Sequence, residues 1–242
     1  MNQETKGKEG YVYVSYGKTK YLHHAITSAI TLRRYDKNRP IAIVCPKEHI
    51  RILEENHLTD LFTIRHEILP ENSSIVGFKH HVDKFMFFEK NIYIDSDIIW
   101  CKNPDNMWKA FEPFPFTATG TQTADNFFGA AKGLAVIWDI IFRRRAKTLG
   151  KFNLSYLSRV QSGVMYAKDF ETTKQVCESA QYFLSQIDNT HFQTRLKEKG
   201  RGMESCEWSL AMSMSKLDIP VYPWFQGQSS AQLDYISNYT EH

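Results

Sequence analysis

Two aspartates one residue apart, Asp95 and Asp97, have the residue type and spacing that best support chemistry in this sequence. They follow the apolar run Ile92 to Ile94, which predicts a short buried strand, so both carboxylates are expected where the chain leaves the core and turns. Two carboxylates this close repel each other unless a cation or a proton lies between them. Hard oxygen ligands of this kind favour Mg²⁺ or Mn²⁺. The sequence therefore predicts a divalent-metal site at the C-terminal end of a strand.

Strands and helices alternate in the part of the chain that leads to these aspartates. The apolar patterns predict, in order, a strand at 11–16, a helix at 21–34, a strand at 40–45, a helix at 47–56, a strand at 61–65, and a helix carrying Phe78, Val82, Phe85 and Met86 that ends near Lys90. Such alternation implies an α/β architecture with a Rossmann-like, mostly parallel central sheet flanked by helices. Ligands of these sheets bind outside the carboxyl ends of the strands, which is where Asp95 and Asp97 are expected.

The second half of the chain has a looser pattern. It predicts helices at 103–111, after 167 and at 207–214, strands at 162–167 and 220–222, and a loop with a short strand at 116–133. No internal repeat or Pro/Gly-rich linker divides the chain, so one domain spanning residues 1–242 is predicted.

Composition excludes several classes of function. The formal net charge of +3 is too small to indicate nucleic-acid binding. The four cysteines lie far apart without a Cys-x-x-Cys, which argues against a zinc cluster or a dense disulfide framework. Residues 1–10 are polar, and no later run is long enough to span a bilayer, so a cytoplasmic location is expected.

Three segments of the chain carry a resemblance to a known family, namely residues 11–34, 79–97 and 161–167. Together they resemble the GT-A glycosyltransferases, and in particular the glycogenin-like and galactosyltransferase-like branch called family eight. In that branch a helix beginning with Lys leads into a strand that ends in Asp-x-Asp, and Lys79 precedes Asp95-Ser96-Asp97 at similar spacing. The run Gln161-Ser162-Gly163 is similar to the family's Asn-Ser-Gly strand. The resemblance implies the GT-A fold, with residues 1–97 as the nucleotide-binding half and residues 98–242 as the acceptor half.

The resemblance also implies an activity, which is transfer of a hexose from a nucleotide-diphosphate sugar, most simply a UDP-sugar, to a glycan or other hydroxylated acceptor, with retention of anomeric configuration. Asp95 and Asp97 would act in catalysis by holding Mn²⁺ or Mg²⁺ against the departing nucleoside diphosphate. Lys79 would add positive charge from the start of a helix, where backbone N–H groups favour anions. The further substrate-binding residues it implies are Ser15, Tyr16 and Tyr21 around the nucleoside, together with Ser96, Gln161 and Ser162.

The C-terminal part departs from the family pattern. The family's His-x-x-Gly-x-x-Lys-Pro-Trp, which supplies a third metal ligand and a phosphate-binding Lys, is absent, and Trp224-Phe225-Gln226-Gly227 follows the last predicted strand. The family's Asp-Gln pair before its late helix corresponds best to Cys206-Glu207-Trp208. Glu207 is therefore a third candidate catalytic residue, in contact with the sugar or the acceptor, and a third metal ligand is not identified.

Two other functions fit part of the sequence. Ile94-Asp95-Ser96-Asp97 also matches the first motif of haloacid-dehalogenase phosphatases, in which the first Asp is a phosphoryl nucleophile. That motif belongs on the first strand and needs a late Gly-Asp pair, which this sequence lacks. A non-catalytic GT-A-like domain that binds nucleotide sugar is supported by the absent C-terminal motif.

Histidine pairs and an arginine run have two interpretations each. His23-His24 and His80-His81 place adjacent side chains in different directions on a helix, so solvated or capping roles are expected rather than metal ligation. The run from Arg143 to Arg145 could dock on an anionic membrane surface or a phosphate-bearing acceptor. A basic helix end that balances the macrodipole is the simpler interpretation of the arginines.

Overall fold

A seven-stranded mixed sheet lies at the centre of the computed structural model, which describes residues 8–124, 137, 140–192 and 206–223. The strands are β1 (Glu9–Val14), β2 (Ile41–Cys45), β3 (Ile64–Glu67), β4 (Lys90–Ile94), β5 (Phe116–Thr121), β6 (Arg159–Ala167) and β7 (Tyr222–Pro223). Their order across the sheet is β3-β2-β1-β4-β6-β5-β7. β1 is parallel to β2 and β4, β2 to β3, and β5 to β7, whereas β6 runs antiparallel to β4 and β5. The carboxyl ends of the first four strands therefore share one edge of the sheet.

The central strands are buried on both faces. β2 consists of five apolar residues that are all fully buried, which is typical of parallel strands covered on both sides. In the neighbouring pair, Tyr11 of β1 lies opposite Ile92 of β4, and Tyr13 lies opposite Ile94. This register brings the ends of β1 and β4 level with each other.

Helices cover both faces of the sheet. They are α1 (Lys20–Arg33), α2 (Lys47–Glu55), α3 (Ile75–Lys79), α4 (Asp105–Phe111), α5 (Arg144–Phe152), α6 (Phe170–Ser185) and α7 (Glu207–Lys216). Apolar residues of α1, α2 and α4 pack in one core with alternate residues of the central strands. Apolar residues of α3, α6 and α7 form a second core with the remaining strand residues. The predicted α/β architecture with a mostly parallel sheet is confirmed.

The predicted helix through Phe78, Val82, Phe85 and Met86 is wrong. The chain forms the short helix α3, then a 3₁₀ turn at Val82–Phe85, and reaches β4 without further helix. Phe78, Val82 and Phe85 are all buried, so the apolar pattern was correctly assigned to the core. The hydroxyl of Tyr93 in β4 donates to the carbonyl oxygen of Val82 at 2.8 Å, a bond that occupies an acceptor which a continuous helix would use for its own ladder.

Several boundaries differ from the predicted ones. β6 begins at Arg159, three residues before the predicted start, and β3 lies at Ile64–Glu67 instead of 61–65. α5 was not predicted. The short strand predicted within 116–133 is β5, while residues 125–136, 138 and 139 and the tail from Phe225 lie outside the described residues. In the described part of the chain, no helix combines the length and the apolar character that crossing a membrane requires.

Candidate functional site

The candidate site lies where the strand order reverses. From β1 the chain crosses to β2 and β3 on one side of the sheet, and β4 then lies on the other side of β1. Open α/β sheets bind ligands in the crevice at such a point, outside the carboxyl ends of the strands. Ser15 and Tyr16 follow β1, and Asp95 follows β4. Since Tyr13 and Ile94 are register partners, these two strand ends are neighbours.

The two aspartates lie on a turn directly after β4. The backbone N–H of Asp95 donates to the carbonyl oxygen of Gly163 at 2.9 Å, and the N–H of Ile98 donates to the carbonyl oxygen of Asp95 at 3.3 Å. The Asp95 side chain is 34% exposed, and Asp97 is exposed at the tip of the turn. Strand pairing therefore fixes Asp95, while Asp97 faces solvent.

Lys79 binds Asp95 directly. Its ammonium nitrogen lies 2.7 Å from Oδ1 and 3.0 Å from Oδ2 of Asp95, and 3.0 Å from Oγ of Ser162. Lys79 is the last residue of α3, so its predicted place at the start of a helix is wrong. The C-terminal end of a helix carries partial negative charge, which attracts a cation instead of an anion. The ammonium group of Lys79 is therefore engaged in an ion pair with Asp95.

This ion pair keeps a buried lysine charged. Burial by itself lowers the pKa of Lys79, but the charge and hydrogen bond of Asp95, together with the charges of Cys206 and Glu207, raise the pKa above its ordinary value. Removing one partner of a buried pair is costly because the other charge then lacks compensation. Lys79 is nearly inaccessible to water, so Asp95 and Ser162 are the contacts that hold its charge in place.

A bulge in β6 presents Ser162 to Lys79. Ala118 of β5 pairs with Met165, but the next residue, Thr119, pairs with Gln161, so residues 162–164 bulge on the β5 side. Gln161 folds its side-chain carbonyl oxygen back onto the N–H of Gly163 at 2.7 Å. Bulges re-aim side chains beside functional sites. Gln161 therefore shapes the bulge, and Ser162 is the residue that contacts the ion pair.

The start of α7 closes this cluster. The Cys206 sulfur lies 3.3 Å from the Ser162 hydroxyl, and burial raises the pKa of the Cys206 thiol. Glu207, the first residue of α7, is half-buried, and its charge contributes to the raised pKa of Lys79. Glu207 is therefore in the electrostatic environment of the Lys79–Asp95 pair, as a candidate site residue should be.

His80 links α3 to α7, so its expected solvated role is wrong, although it is the C-cap residue of α3 and its backbone N–H donates to the carbonyl oxygen of Val76. It is buried, and its Nε2 lies 2.9 Å from the hydroxyl of Ser209. Burial lowers the pKa of His80 to about 4, so the ring is neutral at pH 7. His81 is half-buried beside Gln181, whereas His23 and His24 are exposed on α1.

The residues predicted to hold a nucleoside lie after β1. Ser15 is buried, and its hydroxyl lies 3.0 Å from Nδ1 of His49 in α2, so its side chain is hydrogen-bonded within the protein. Tyr16 is half-buried. Tyr21 is 40% exposed on the first turn of α1, and the Lys20 ammonium lies 4.9 Å from the centre of its ring. Of these three residues, Tyr21 has the most accessible aromatic surface.

Three residues of the site were not predicted from the sequence, namely His49, His80 and Cys206. His49 could have been found, because it follows β2 at the same sheet edge and helical spacing turns it inward with Leu53. His80 and Cys206 lie in segments that the sequence singled out, but no local pattern indicated their contacts, since their partners are 129 and 44 residues away in the sequence.

Asp95 and Asp97 fit a divalent ion whose other ligands come from phosphate and water. Among the described residues there is no group of three His, Cys, Asp or Glu side chains that could enclose a metal. Mg²⁺ is commonly held by one or two carboxylates together with substrate phosphates and waters, so two hard oxygen donors are a suitable set. Lys79 contacts both oxygens of Asp95 and so lowers the negative charge available to an ion.

Comparisons with known proteins identify the fold. No protein-family model matches this sequence, and no curated protein matches it. Mouse xyloside xylosyltransferase 1 has a similar structure, with a TM-score of 0.56 and 13% identity over 89% of this chain and 85% of that chain. An active-site mutant of LgtC gives a TM-score of 0.51 and 9% identity, covering 85% and 70% of the two chains. Core-mannan synthase A from Aspergillus fumigatus, in its Mn/GDP form, gives 0.50 and 8%, covering 89% and 71%. The protein has the GT-A glycosyltransferase fold.

Proposed function

We propose that this protein is a metal-dependent glycosyltransferase that moves a sugar from a nucleotide-diphosphate sugar to a hydroxyl group of a glycan or other acceptor. The observation that carries the proposal is the position of Asp95-Ser96-Asp97 at the carboxyl end of β4, beside β1, where the strand order reverses. Proteins with this fold include a xylosyltransferase and a mannan synthase described with Mn and GDP, which supports this class of donor. A UDP-sugar is the donor to be tested first.

Asp95 and Asp97 would hold Mn²⁺ or Mg²⁺ through their carboxylate oxygens. The ion supplies Lewis acidity toward the departing nucleoside diphosphate. Asp97 is exposed and free to bind without rearrangement, whereas Asp95 shares its oxygens with Lys79. With one of the two carboxylates already neutralised, ion and donor should bind together more tightly than either binds alone.

Lys79 supplies a fixed positive charge at the same place. Its raised pKa keeps it protonated at neutral pH, and Asp95 and Ser162 orient it. A charge held in this way needs no reorganisation when negative charge develops on the diphosphate. Removing such electrostatic help typically slows a reaction by roughly 10² to 10³.

The remaining assignments divide the site between donor and acceptor. Tyr16 and Tyr21, on the loop and first turn after β1, would stack on or contact the nucleoside, with the loop shaped by the Ser15–His49 contact. Ser96 and Gln161 flank the pyrophosphate position on the turn and on the bulge. Glu207, half-buried at the start of α7, would contact the transferred sugar or the acceptor. We expect retention of anomeric configuration.

Calorimetry of UDP binding with and without Mn²⁺ tests the proposal. Wild-type protein should bind UDP at least about 100-fold more weakly when Mn²⁺ is removed. Asp97→Asn should lose the part of the UDP affinity that depends on Mn²⁺. Asp60→Asn is the matched control, because Asp60 is an exposed aspartate on a 3₁₀ turn away from β4. Equal UDP affinity with and without Mn²⁺ would overturn the metal-bridged site.

A second candidate function, nucleotide-sugar binding without turnover, is favoured by the engagement of both Asp95 oxygens by Lys79. It predicts Mn²⁺-dependent UDP binding in calorimetry but neither hydrolysis nor transfer across a panel of UDP-sugars and acceptors. A phosphatase would instead hydrolyse a generic aryl phosphate with a burst and would not need a nucleotide.

A further inference from the structure

We propose that the connection between β5 and β6 carries a docking surface for an anionic lipid bilayer. This basic-apolar surface consists of four apolar residues followed by exposed basic ones: Ile137, Ile140, Ile141, Phe142, Arg143, Lys147 and Lys151. The proposal concerns a surface outside the candidate site and does not depend on the transferase assignment.

Four large apolar side chains are exposed next to one another in this surface. Ile137, Ile140, Ile141 and Phe142 are 51%, 50%, 60% and 49% exposed. The three isoleucines are all helical, and their spacing of three and four residues places them on one helix face. The other exposed large apolar residues of the described chain are scattered, so this cluster stands apart. Contiguous exposed apolar residues mark a contact site with a protein or a membrane.

Basic residues follow the apolar cluster in the sequence, and one acid, Asp139, lies between its isoleucines. Five basic residues lie between positions 143 and 151, and there is no Asp or Glu from 140 to 168. Arg143, Lys147 and Lys151 are exposed. Apolar residues bordered by basic ones are typical of surfaces that lie in the headgroup region of anionic membranes.

The three arginines lie at the junction of two helical segments. Arg144 is the first residue of α5, and Arg145 is the second, so both lie at the helix end that disfavours positive charge. Arg143 precedes the helix in a left-handed conformation with φ of 49°. Arg145 donates to the carbonyl oxygen of Ala124 at 2.8 Å and therefore has a structural role. The backbone N–H of Arg143 donates to the carbonyl oxygen of Ile140 at 3.0 Å, so the arginines also follow the end of the helical residues Ile140 and Ile141, where positive charge is favoured.

The charge pattern favours a bilayer over a second copy of the chain. A two-fold dimer through this surface would bring five basic residues of each copy together, and Asp139 is the one acid between positions 137 and 151 to offset them. Anionic lipid headgroups compensate the charge, and the acyl region accepts the isoleucines. The surface is also well placed, because β5 ends and β6 begins at the sheet edge that carries Asp95.

Sedimentation with lipid vesicles tests the proposal on the 242-residue protein without any donor. The anionic vesicles contain roughly 70% phosphatidylcholine and 30% phosphatidylglycerol, to imitate an anionic leaflet. Wild type should bind these vesicles and should not bind vesicles of phosphatidylcholine alone. Arg143→Gln/Lys147→Gln should weaken partitioning about 25-fold, because each cation near such a surface strengthens binding about five-fold. Ile140→Asp/Ile141→Asp should abolish partitioning.

Matched controls lie on the opposite sheet edge, at the end of α1. Arg34→Gln/Lys37→Gln removes the same charge, and Ile30→Asp/Tyr35→Asp changes two exposed apolar residues, so both should partition as wild type does. Circular dichroism melts should show that all variants are folded. Absence of wild-type binding to the anionic vesicles, or equal losses in surface and control variants, would overturn the proposal. So would dimerisation in analytical ultracentrifugation that Ile140→Asp/Ile141→Asp removes while vesicle binding is absent.

Discussion

Acidification should weaken the fold through His80, whose ring joins α3 to α7. His80 is buried, and burial lowers its pKa from 6.5 to about 4. His81 lowers the pKa further, whereas a hydrogen bond with the backbone of Cys206 raises it. Because the folded state prefers the neutral ring, the stabilisation is fully present above pH 6.5 and is lost as the pH falls from 6.5 toward 4.

The size of the effect follows from the two pKa values. The full difference between 6.5 and about 4 corresponds to about 3 kcal/mol of unfolding free energy, since one pH unit is worth about 1.4 kcal/mol. At pH 4.5 about 2.5 kcal/mol of this is already lost. His191 is buried with its pKa also lowered to about 4, so it should lose a similar amount over the same range. Together the two histidines account for much of the stability of an average domain.

Urea unfolding at pH 7 and pH 4.5 measures the effect. The unfolding free energy of His80→Phe should fall about 2.5 kcal/mol less than that of wild type between these two pH values, because the variant has no ring to protonate. His80→Gln tests whether the result depends on the aromatic replacement, and His24→Gln, at an exposed position on α1, should behave as wild type.

Equal losses of stability in wild type, His80→Phe and His80→Gln would refute the reasoning, because the buried ring would then not be the group that takes up the proton. UDP binding should decline over the same pH range in wild type, since His80 follows Lys79 and contacts the helix that begins at Glu207.

Two further predictions concern the ion pair and the sheet. Asp95→Asn should lower the unfolding free energy by about 3 kcal/mol, because it leaves a buried ammonium without its partner. Lys79→Met should lower it by only about 1 kcal/mol, because it leaves a carboxylate that water reaches. Urea titrations that show the reverse order would contradict the burial argument. Gly120→Ala should lower the unfolding free energy by more than about 3 kcal/mol, since an added Cβ would clash with the carbonyl oxygen of Arg159. Gly150→Ala is the control, because Gly150 lies on an exposed helix with open space around it. In thermal melts this variant should be as stable as wild type or more stable by up to about 1 kcal/mol.

Local patterns predicted the elements that form the site. The apolar runs that became β1, β2 and β4 are continuous because these strands are covered on both faces, so their assignment needs no knowledge of their partners. The two aspartates directly after such a run had to emerge at a strand end. The resemblance carried by Lys79, Asp95 and Gln161-Ser162-Gly163 correctly predicted the GT-A fold.

Tertiary contacts decided what those residues touch. The pattern of Phe78, Val82 and Phe85 reports burial, which a 3₁₀ turn against β4 satisfies as well as a helix does, and so the helix prediction failed. Lys79 consequently lies at a helix end and binds Asp95. A local pattern carries no signal for such contacts, because they depend on which distant strand supplies the neighbour.

The sequence by itself determined that two carboxylates would lie at the end of a buried strand, because alternation and burial are local properties of the chain. The tertiary structure decided that one of them would be held by Lys79 and Ser162, residues 16 and 67 positions away, and that Cys206 would close the cluster. The physical reason is that residues far apart in the sequence meet only where packing and the sheet register bring both partners together, here a buried ammonium and a partly exposed carboxylate.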